Sequence, residues 1–252
     1  MKKILLIISV VILLFLFIVV SNDPKIIIAK LAKQGDLKAG ELRYRISFFG
    51  VLPLAEAIIG VEKIEDYRGE KVYHLSASAK TIKMVSKFLK GEASFDSFVD
   101  IERLSPIVFK QRLMVSGKGS ADREIIYDQE QGIMDIDGVK RAILSDTQDP
   151  LSAIFSLKKM DFDKIKEFEM NINTNQKNYI LKGRATSKEI AIKGKTYKIA
   201  FLEASISRRD KNPYHKSRIK MVLLRGKENI PILMKVFASG VSLSVRLTEI
   251  VP

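Results

Sequence analysis

The feature that most restricts the fold of this chain is an alternation of apolar and polar residues that begins near Gly40 and recurs towards the C-terminus. In the first stretch, Leu42, Tyr44 and Ile46 alternate with charged or small polar residues. A period of two puts every second side chain on one face of an extended strand, so each stretch predicts a half-buried β-strand. The predicted strands cover residues 42–48, 73–79, 107–116, 124–127, 133–136, 167–172, 179–181, 190–192, 197–206, 217–224, 232–237 and 241–247.

Short turn signals and three helical segments separate these strands. Dipeptides ending in Gly are typical of tight hairpins between antiparallel neighbours, and they occur at Arg68-Gly69, Asp137-Gly138, Lys193-Gly194 and Ser239-Gly240. Asp23-Pro24 and Asp149-Pro150 each predict a helix with an Asp N-cap and Pro in the first position. A third helical segment is predicted between Ala79 and Lys90. The expected fold is mainly β, a large curved antiparallel sheet, barrel or half-barrel with one or two short helices and a preceding N-terminal transmembrane helix.

The transmembrane prediction rests on the apolar run from Ile4 to Val20, which follows two lysines. Its length lies between a signal-peptide core and a full membrane span, and Ser21 offers a small residue for cleavage. The positive-inside bias then predicts a single-pass protein of a bacterial inner membrane with its C-terminal part in the periplasm, or an exported protein if the segment is cleaved. The expected division is an anchor or signal sequence at 1–21, a helical linker at 22–39 and a β domain at 40–252.

Composition narrows the chemistry further. The chain has 43 Lys and Arg residues against 29 Asp and Glu, giving a formal net charge of +14. Outside the inner membrane such a charge favours anionic lipid, glycolipid or polysaccharide as partner rather than nucleic acid, although an excess of Lys also serves simply to solvate a surface. The absence of cysteine excludes disulfides and thiol chemistry.

Several short segments carry a family resemblance, and the most distinctive is Gln148-Asp149-Pro150-Leu151-Ser152-Ala153. The others are Gly40-Glu41-Leu42-Arg43-Tyr44, Leu104-Ser105-Pro106 with Phe109, Tyr127-Asp128 and Ile230-Pro231-Ile232. In this order the chain resembles the DUF3108 family of bacterial envelope proteins, although it has no tryptophan before Ile230. The resemblance implies an exported antiparallel β domain, similar to the half-barrels of lipoprotein carriers, with no catalytic residues to transfer.

The residues themselves specify no catalytic or metal site. Only two histidines are present, and His74 lies in a strand pattern while His215 lies in a turn. Asp96, Asp100 and Glu102 share one strand face, which is either a carboxylate cluster or a solvated surface. We therefore expect no cofactor, no metal and no enzymatic activity, and a hydrolase of envelope polymers is the weakest hypothesis.

Positive charge gives the one candidate binding surface. Lys216, Arg218 and Lys220 alternate along one predicted strand, and Arg208 and Arg209 lie shortly before it. Such a ridge suits a ligand with phosphates or carboxylates, whereas Lys on an edge strand also protects against aggregation. The leading hypothesis is a non-enzymatic envelope protein that binds an anionic or amphipathic component. The alternative is a structural scaffold of an envelope complex.

Overall fold

The computed structural model describes residues 23–33, 40–60, 63–117, 119–174, 177–209 and 217–251. Within them a single antiparallel sheet runs in the order β10-β11-β12-β13-β14-β15-β1-β2-β4-β5-β6-β7-β8-β9, and β3 pairs only with β4. This confirms the prediction of a mainly β chain with one large antiparallel sheet and few short helices. The strands are β1 (Glu41–Phe48), β2 (Leu52–Ile59), β3 (Lys63–Tyr67), β4 (Glu70–Thr81), β5 (Gly91–Asp100), β6 (Pro106–Val115), β7 (Gly119–Asp128), β8 (Ile133–Ile136), β9 (Val139–Ala142), β10 (Glu167–Thr174), β11 (Lys177–Ile192), β12 (Lys195–Arg208), β13 (Ser217–Leu224), β14 (Ile230–Ala238) and β15 (Val241–Val251).

The predicted Gly-containing hairpins are confirmed by their backbone angles. At Arg68-Gly69, Asp137-Gly138, Lys193-Gly194 and Ser239-Gly240 both central residues have positive φ. Two left-handed residues in succession define a type I′ turn, whose twist matches that of the flanking strands. These turns therefore fix the register of four hairpins locally.

The sheet is strongly curved but its ladder of backbone hydrogen bonds does not close. Register shifts interrupt four pairings, for example between Ile46 and Ser47 and between Phe98 and Val99, and such bulges bend and twist a sheet. The two terminal strands, β9 and β10, do not pair with each other. Residues 143–149, which we call the seam segment, lie between them, and Gln148 forms a parallel bridge with Ile172.

Side chains reinforce this seam. The Asn178 side chain donates to the Ala142 carbonyl at 2.9 Å, and the Asn171 side chain donates to the Ser145 carbonyl at the same distance. The Gln148 amide also donates to the Asn171 carbonyl at 2.8 Å. The two edges are thus joined by the connecting chain itself. Neither of them is therefore a long unpaired edge to which another strand could add.

Three helices complete the described fold: α1 (Pro24–Leu31), α2 (Lys83–Ser86) and α3 (Pro150–Lys159). Helix α1 buries Ile27, Ile28 and Leu31 against one end of the sheet, where the cluster includes Leu42 and Leu247. It is therefore packed on the β domain. Helix α3 crosses the concave face, and its two sides contribute to two separate core clusters.

The sequence-based assignment needs several corrections. The helical segment predicted between Ala79 and Lys90 is only four residues long, because β4 continues to Thr81. The stretches at 179–181 and 190–192 belong to one strand, β11. Strands β2, β3 and β9 were not predicted. For β5, the sequence predicted only that Asp96, Asp100 and Glu102 share one strand face. The predicted anchor at residues 1–21 lies outside the described residues, and among those described no helix has the length and hydropathy needed to cross a bilayer.

Helix α3 begins at a buried carboxylate, Asp149. One carboxylate oxygen accepts hydrogen bonds from the amides of Leu151 at 2.7 Å and Ser152 at 3.0 Å. The other oxygen accepts from the Ser97 hydroxyl on β5 at 2.6 Å. Burial raises the pKa of Asp149, and the hydrogen bonds from Ser97 and the helix terminus act in the opposite direction. The carboxylate therefore links the seam segment, α3 and the sheet at one point.

The two Asp-Pro caps offer a matched test of this link. Asp149→Ala should lower the free energy of unfolding by about 2–4 kcal/mol, since it removes the cap and leaves buried donors unpaired. Asp23→Ala removes a single cap bond, to the Lys25 amide, from a less buried site and should cost about 1 kcal/mol. Urea unfolding of both variants measures the difference, and equal losses would contradict the proposed role of Asp149.

Candidate functional site

A cavity of about 320 Å³ lies on the concave side of the sheet, beneath α3. Small inner-face residues of β2 and β4, Ala57, Ala77 and Ala79, form one wall. The remaining lining residues include Ile46, Phe95, Phe109, Leu151, Ile154, Met221, Met234 and Val245. Almost all of the exposed lining is carbon, so the cavity suits an apolar group rather than a polar one.

The one phenol in the lining is turned away from the empty space. Tyr44 is buried, and its hydroxyl donates to the Pro231 carbonyl at 3.0 Å. Burial raises the pKa of Tyr44, so the hydroxyl stays neutral. The hydrogen bond brings together two of the segments that carry the family resemblance, the one that ends at Tyr44 and Ile230-Pro231-Ile232.

Apolar inner-face residues continue from the cavity to one end of the sheet. Phe48, Leu243 and Val236 occupy neighbouring register positions on β1, β15 and β14, on the same face as Tyr44. Each of the three is only partly buried, whereas the inner face at the α1 end is buried. The concave face is thus closed at the α1 end and accessible at the other, which we call the turn end.

The convex face carries a group of cations that we call the basic cluster: Arg45, Arg218, Lys220, Lys235 and Arg246. Arg45 lies directly opposite Arg246, and Lys220 lies directly opposite Lys235. Like charges in register repel each other, so two such pairs are a cost to the fold. A surface that retains them is suited to an anionic ligand.

The pKa values of two members of the cluster are lowered in this environment. The pKa of Lys235 is lowered by burial and then by the charge of Lys220. The pKa of Arg246 is lowered by burial and then by Arg45. Glu203 approaches Lys220 to 2.7 Å and Glu56 approaches Arg45 to 3.9 Å, so the acidic groups compensate part of the charge from the sides.

The structure separates the residues that sequence reasoning grouped together. Arg218 and Lys220 are exposed on one face of β13, while Lys216 lies outside the described residues. Arg208 occupies the inner-facing register of β12, two positions beyond Ile206, and Arg209 bonds the Asn171 side chain on β10. Strand β13 is paired on both sides, so the alternative that its cations protect a sheet edge is wrong.

Three members of the basic cluster, Arg45, Lys235 and Arg246, were missed. They belong to strands far from β13 in sequence, and only the strand order brings them beside it. The available signal was an outward-facing cation on each of β1, β14 and β15. Without the register, that signal does not reveal which cations are neighbours.

The candidate catalytic groups are engaged by neighbouring side chains and by a turn. Asp96 lies 2.9 Å from His74, which also approaches Glu65 at 3.4 Å and stacks on Phe98. Asp100 accepts hydrogen bonds from the amides of Glu102 and Arg103 in a turn. No cluster of three metal-ligating side chains occurs within the described part of the chain.

The fold and the site together define a barrel-like antiparallel β protein with an open sheet and an apolar interior. The profile of the family described as "Protein of unknown function (DUF3108)" matches residues 43–241, and the chain belongs to this family. No curated protein matches the sequence.

The solved structures that are similar to the chain include the following two. One is a β-barrel-like protein of the DUF1849 family from Brucella abortus, with a TM-score of 0.53 and 11% identity over 83% of this chain and 95% of that one. The other is a DUF1089 family protein from Pseudomonas aeruginosa, with a TM-score of 0.39 and 10% identity over 79% of this chain and 92% of that one. The first supports the barrel-like architecture, and the second is too distant to carry an argument.

Lys235→Gln should stabilise the protein in low salt. The change removes the repulsion from Lys220 and the burial of an ammonium group, so we expect the free energy of unfolding to rise by about 0.2–1 kcal/mol. Urea unfolding with and without added NaCl measures this, and the gain should shrink with salt. Lys195→Gln, on an exposed hairpin, is the charge-matched control; a loss of stability in Lys235→Gln would contradict our account of the cluster.

Proposed function

We propose that this protein is a non-enzymatic component of the bacterial envelope that binds an amphipathic, anionic molecule such as a lipid or glycolipid. The single observation that carries the proposal is the carbon-lined cavity beneath α3. Its volume of about 320 Å³ lies at the lower end of the range of ligand pockets, roughly 300–1,000 Å³. The apolar part of the ligand occupies this cavity and enters from the turn end.

The packing around the cavity supports a binding role. Alanine occupies the inner positions 57, 77 and 79, where larger apolar residues would fill the space. Engineered apolar cavities of about 150 Å³ stay dry and take up small apolar molecules. A cavity about twice that size gains free energy by accepting a hydrocarbon chain, since its apolar lining is then removed from contact with water.

The charged part of the ligand lies outside the cavity. Arg208 occupies the inner-facing register near the turn end, where its guanidinium can bind a phosphate or carboxylate group in bidentate fashion. The basic cluster lies on the convex face, across the sheet from the cavity, and offers a second anion-binding surface rather than a contact with the same head group. We place the molecule in the periplasm, anchored in the inner membrane through Ile4 to Val20 unless that segment is cleaved, because the N-terminal pattern predicts export.

The structural scaffold and the hydrolase are less well supported. A scaffold has no use for an empty apolar interior, and Asp96 and Asp100 are engaged by His74 and by a turn, respectively. Scaffolding remains the outcome to adopt if no ligand is found.

Native mass spectrometry of the full-length protein, purified from its own envelope, is the direct test. We expect a bound lipid or glycolipid that organic extraction releases. An empty protein would count against the proposal and favour the scaffold.

Filling the cavity should abolish binding without unfolding the protein. Ala57→Leu with Ala77→Leu places two larger side chains in the empty space, so we expect binding of a fluorescent C16 fatty acid to weaken at least about tenfold, with a change in stability below about 1.5 kcal/mol. Ser94→Leu, on the outward face of β5 and outside the cavity lining, is the matched control. Unchanged affinity in the filled variant would refute the cavity as the binding site.

A further inference from the structure

Three chain connections lie side by side at the turn end: those between β1 and β2, between β4 and β5, and between β14 and β15. The Phe49 amide donates to the Ser242 carbonyl at 2.8 Å, which joins the first connection to β15. The Ile82 amide donates to the Leu54 carbonyl at 3.1 Å, which joins the second connection to β2. The three connections therefore form one continuous surface.

Exposed apolar side chains are concentrated on this surface. Phe88 is the extreme case, with 91% of its surface exposed. We call the set the apolar tip, and it consists of Phe49, Leu52, Met84, Phe88, Leu89 and Val241. Single exposed apolar residues are ordinary, but a contiguous group of this kind marks a surface that meets another apolar phase.

One member of the apolar tip is held there against backbone preference. Phe49 is the first of two left-handed residues in the β1–β2 turn, with φ of 49°. Such positions favour Gly, Asn or Asp, and a bulky aromatic is unusual in them. The ring packs against that of Phe48, with centroids 4.4 Å apart, yet half of its surface remains exposed.

The charge of the same surface indicates what covers it. Lys83, Lys87 and Lys90 belong to the β4–β5 connection together with Phe88 and Leu89, and residues 48–52, 82–90 and 239–240 include no Asp or Glu. The nearest ion pair joins Lys90 to Glu92, in β5, at 3.6 Å. At the α1 end, by contrast, the strand ends and connections include Asp100, Glu102, Asp128, Glu130, Asp161, Asp163 and Glu228, some of them paired with cations such as Arg103 and Arg225.

We infer that the apolar tip docks on the surface of a bilayer that contains anionic lipids. Phe88, Leu89 and Met84 enter the interface between head groups and acyl chains, and the lysines contact the lipid phosphates. Apolar side chains bordered by Lys are the composition that binds such interfaces. The inference stands apart from the proposed function, because it does not require a ligand in the cavity.

The absence of tryptophan from the chain makes a clean experiment possible. Full-length protein with Phe88→Trp has a single tryptophan. It is reconstituted into unlabelled liposomes, and vesicles of phosphatidylglycerol with brominated acyl chains are then added, because the predicted anchor directly precedes α1 and α1 lies at the end opposite the apolar tip. We expect at least about twofold quenching and a blue shift of the emission, since the indole reaches the acyl region. Because the readout is the position of residue 88, membrane attachment through another part of the chain gives no signal.

Ile64→Trp is the matched control, because Ile64 is 64% exposed and lies on β3, away from the tip. Its emission should remain unquenched. The Phe88→Trp protein is also measured with vesicles of brominated phosphatidylcholine, which carries no net charge. Adding Lys83→Gln, Lys87→Gln and Lys90→Gln should reduce the quenching in phosphatidylglycerol to the level found with those vesicles.

Two results would overturn the inference. One is equal quenching at positions 64 and 88. The other is a blue shift at position 88 that depends on protein concentration and not on lipid, which would assign the tip to a contact between two copies of the chain. Binding of the fluorescent fatty acid is measured on the same variants. It tests ligand binding in the cavity independently of the contact between the apolar tip and a bilayer.

Discussion

The carboxylate of Asp149 lies where three parts of the molecule meet: the seam segment, the first turn of α3 and the middle of β5. Taking a carboxylate out of water is unfavourable, and here hydrogen bonds from Ser97 and two helix amides offset that cost. Because these donors lie on different elements, the carboxylate is satisfied only when all of them are in place. The position of α3 inside the curved sheet follows from this requirement.

The interior in turn depends on α3. Leu151 and Phe155 pack towards the β4–β7 side, whereas Ala153 and Leu157 pack towards the β10–β13 side. The helix thus separates two walls of the sheet that would otherwise close on each other, and the small residues of β2 and β4 leave the gap unfilled. The alternation of each strand sends carbon inward to this gap and cations outward to the basic cluster.

Local patterns in the sequence were sufficient for much of this fold. Asp149-Pro150 marked the start of α3 to the residue, and the Gly-containing turns marked four hairpins. Strand β2 was missed because Leu52–Ile59 is nearly continuous in apolar character and contains Pro53, which hides a period of two. The segment between Ala79 and Lys90 has helical spacing, yet the extension of β4 to Thr81 takes up its first residues.

The candidate site was less accessible to such reasoning. The cavity exists because the side chains of Ala57, Ala77 and Ala79 are small. An alanine in the sequence does not indicate a cavity until its neighbours across the sheet are known. The basic cluster likewise depends on register: Arg218 and Lys220 could be recognised along β13, but their approach to Lys235 is a property of the strand order. Long-range pairing, not local propensity, determines both features.

The strand order also has a consequence for how the chain folds. Most strands that pair in the sheet also follow each other directly along the chain. The exceptions are the pairings of β2 with β4 and of β15 with β1. Hairpins of this kind form with small loop-closure entropy, whereas the pairing of β1 with β15 joins the two ends of the domain. During synthesis, the edge of β1 that pairs with β15 therefore stays unpaired until β15 has emerged. The sheet between β14 and β1 is completed only then.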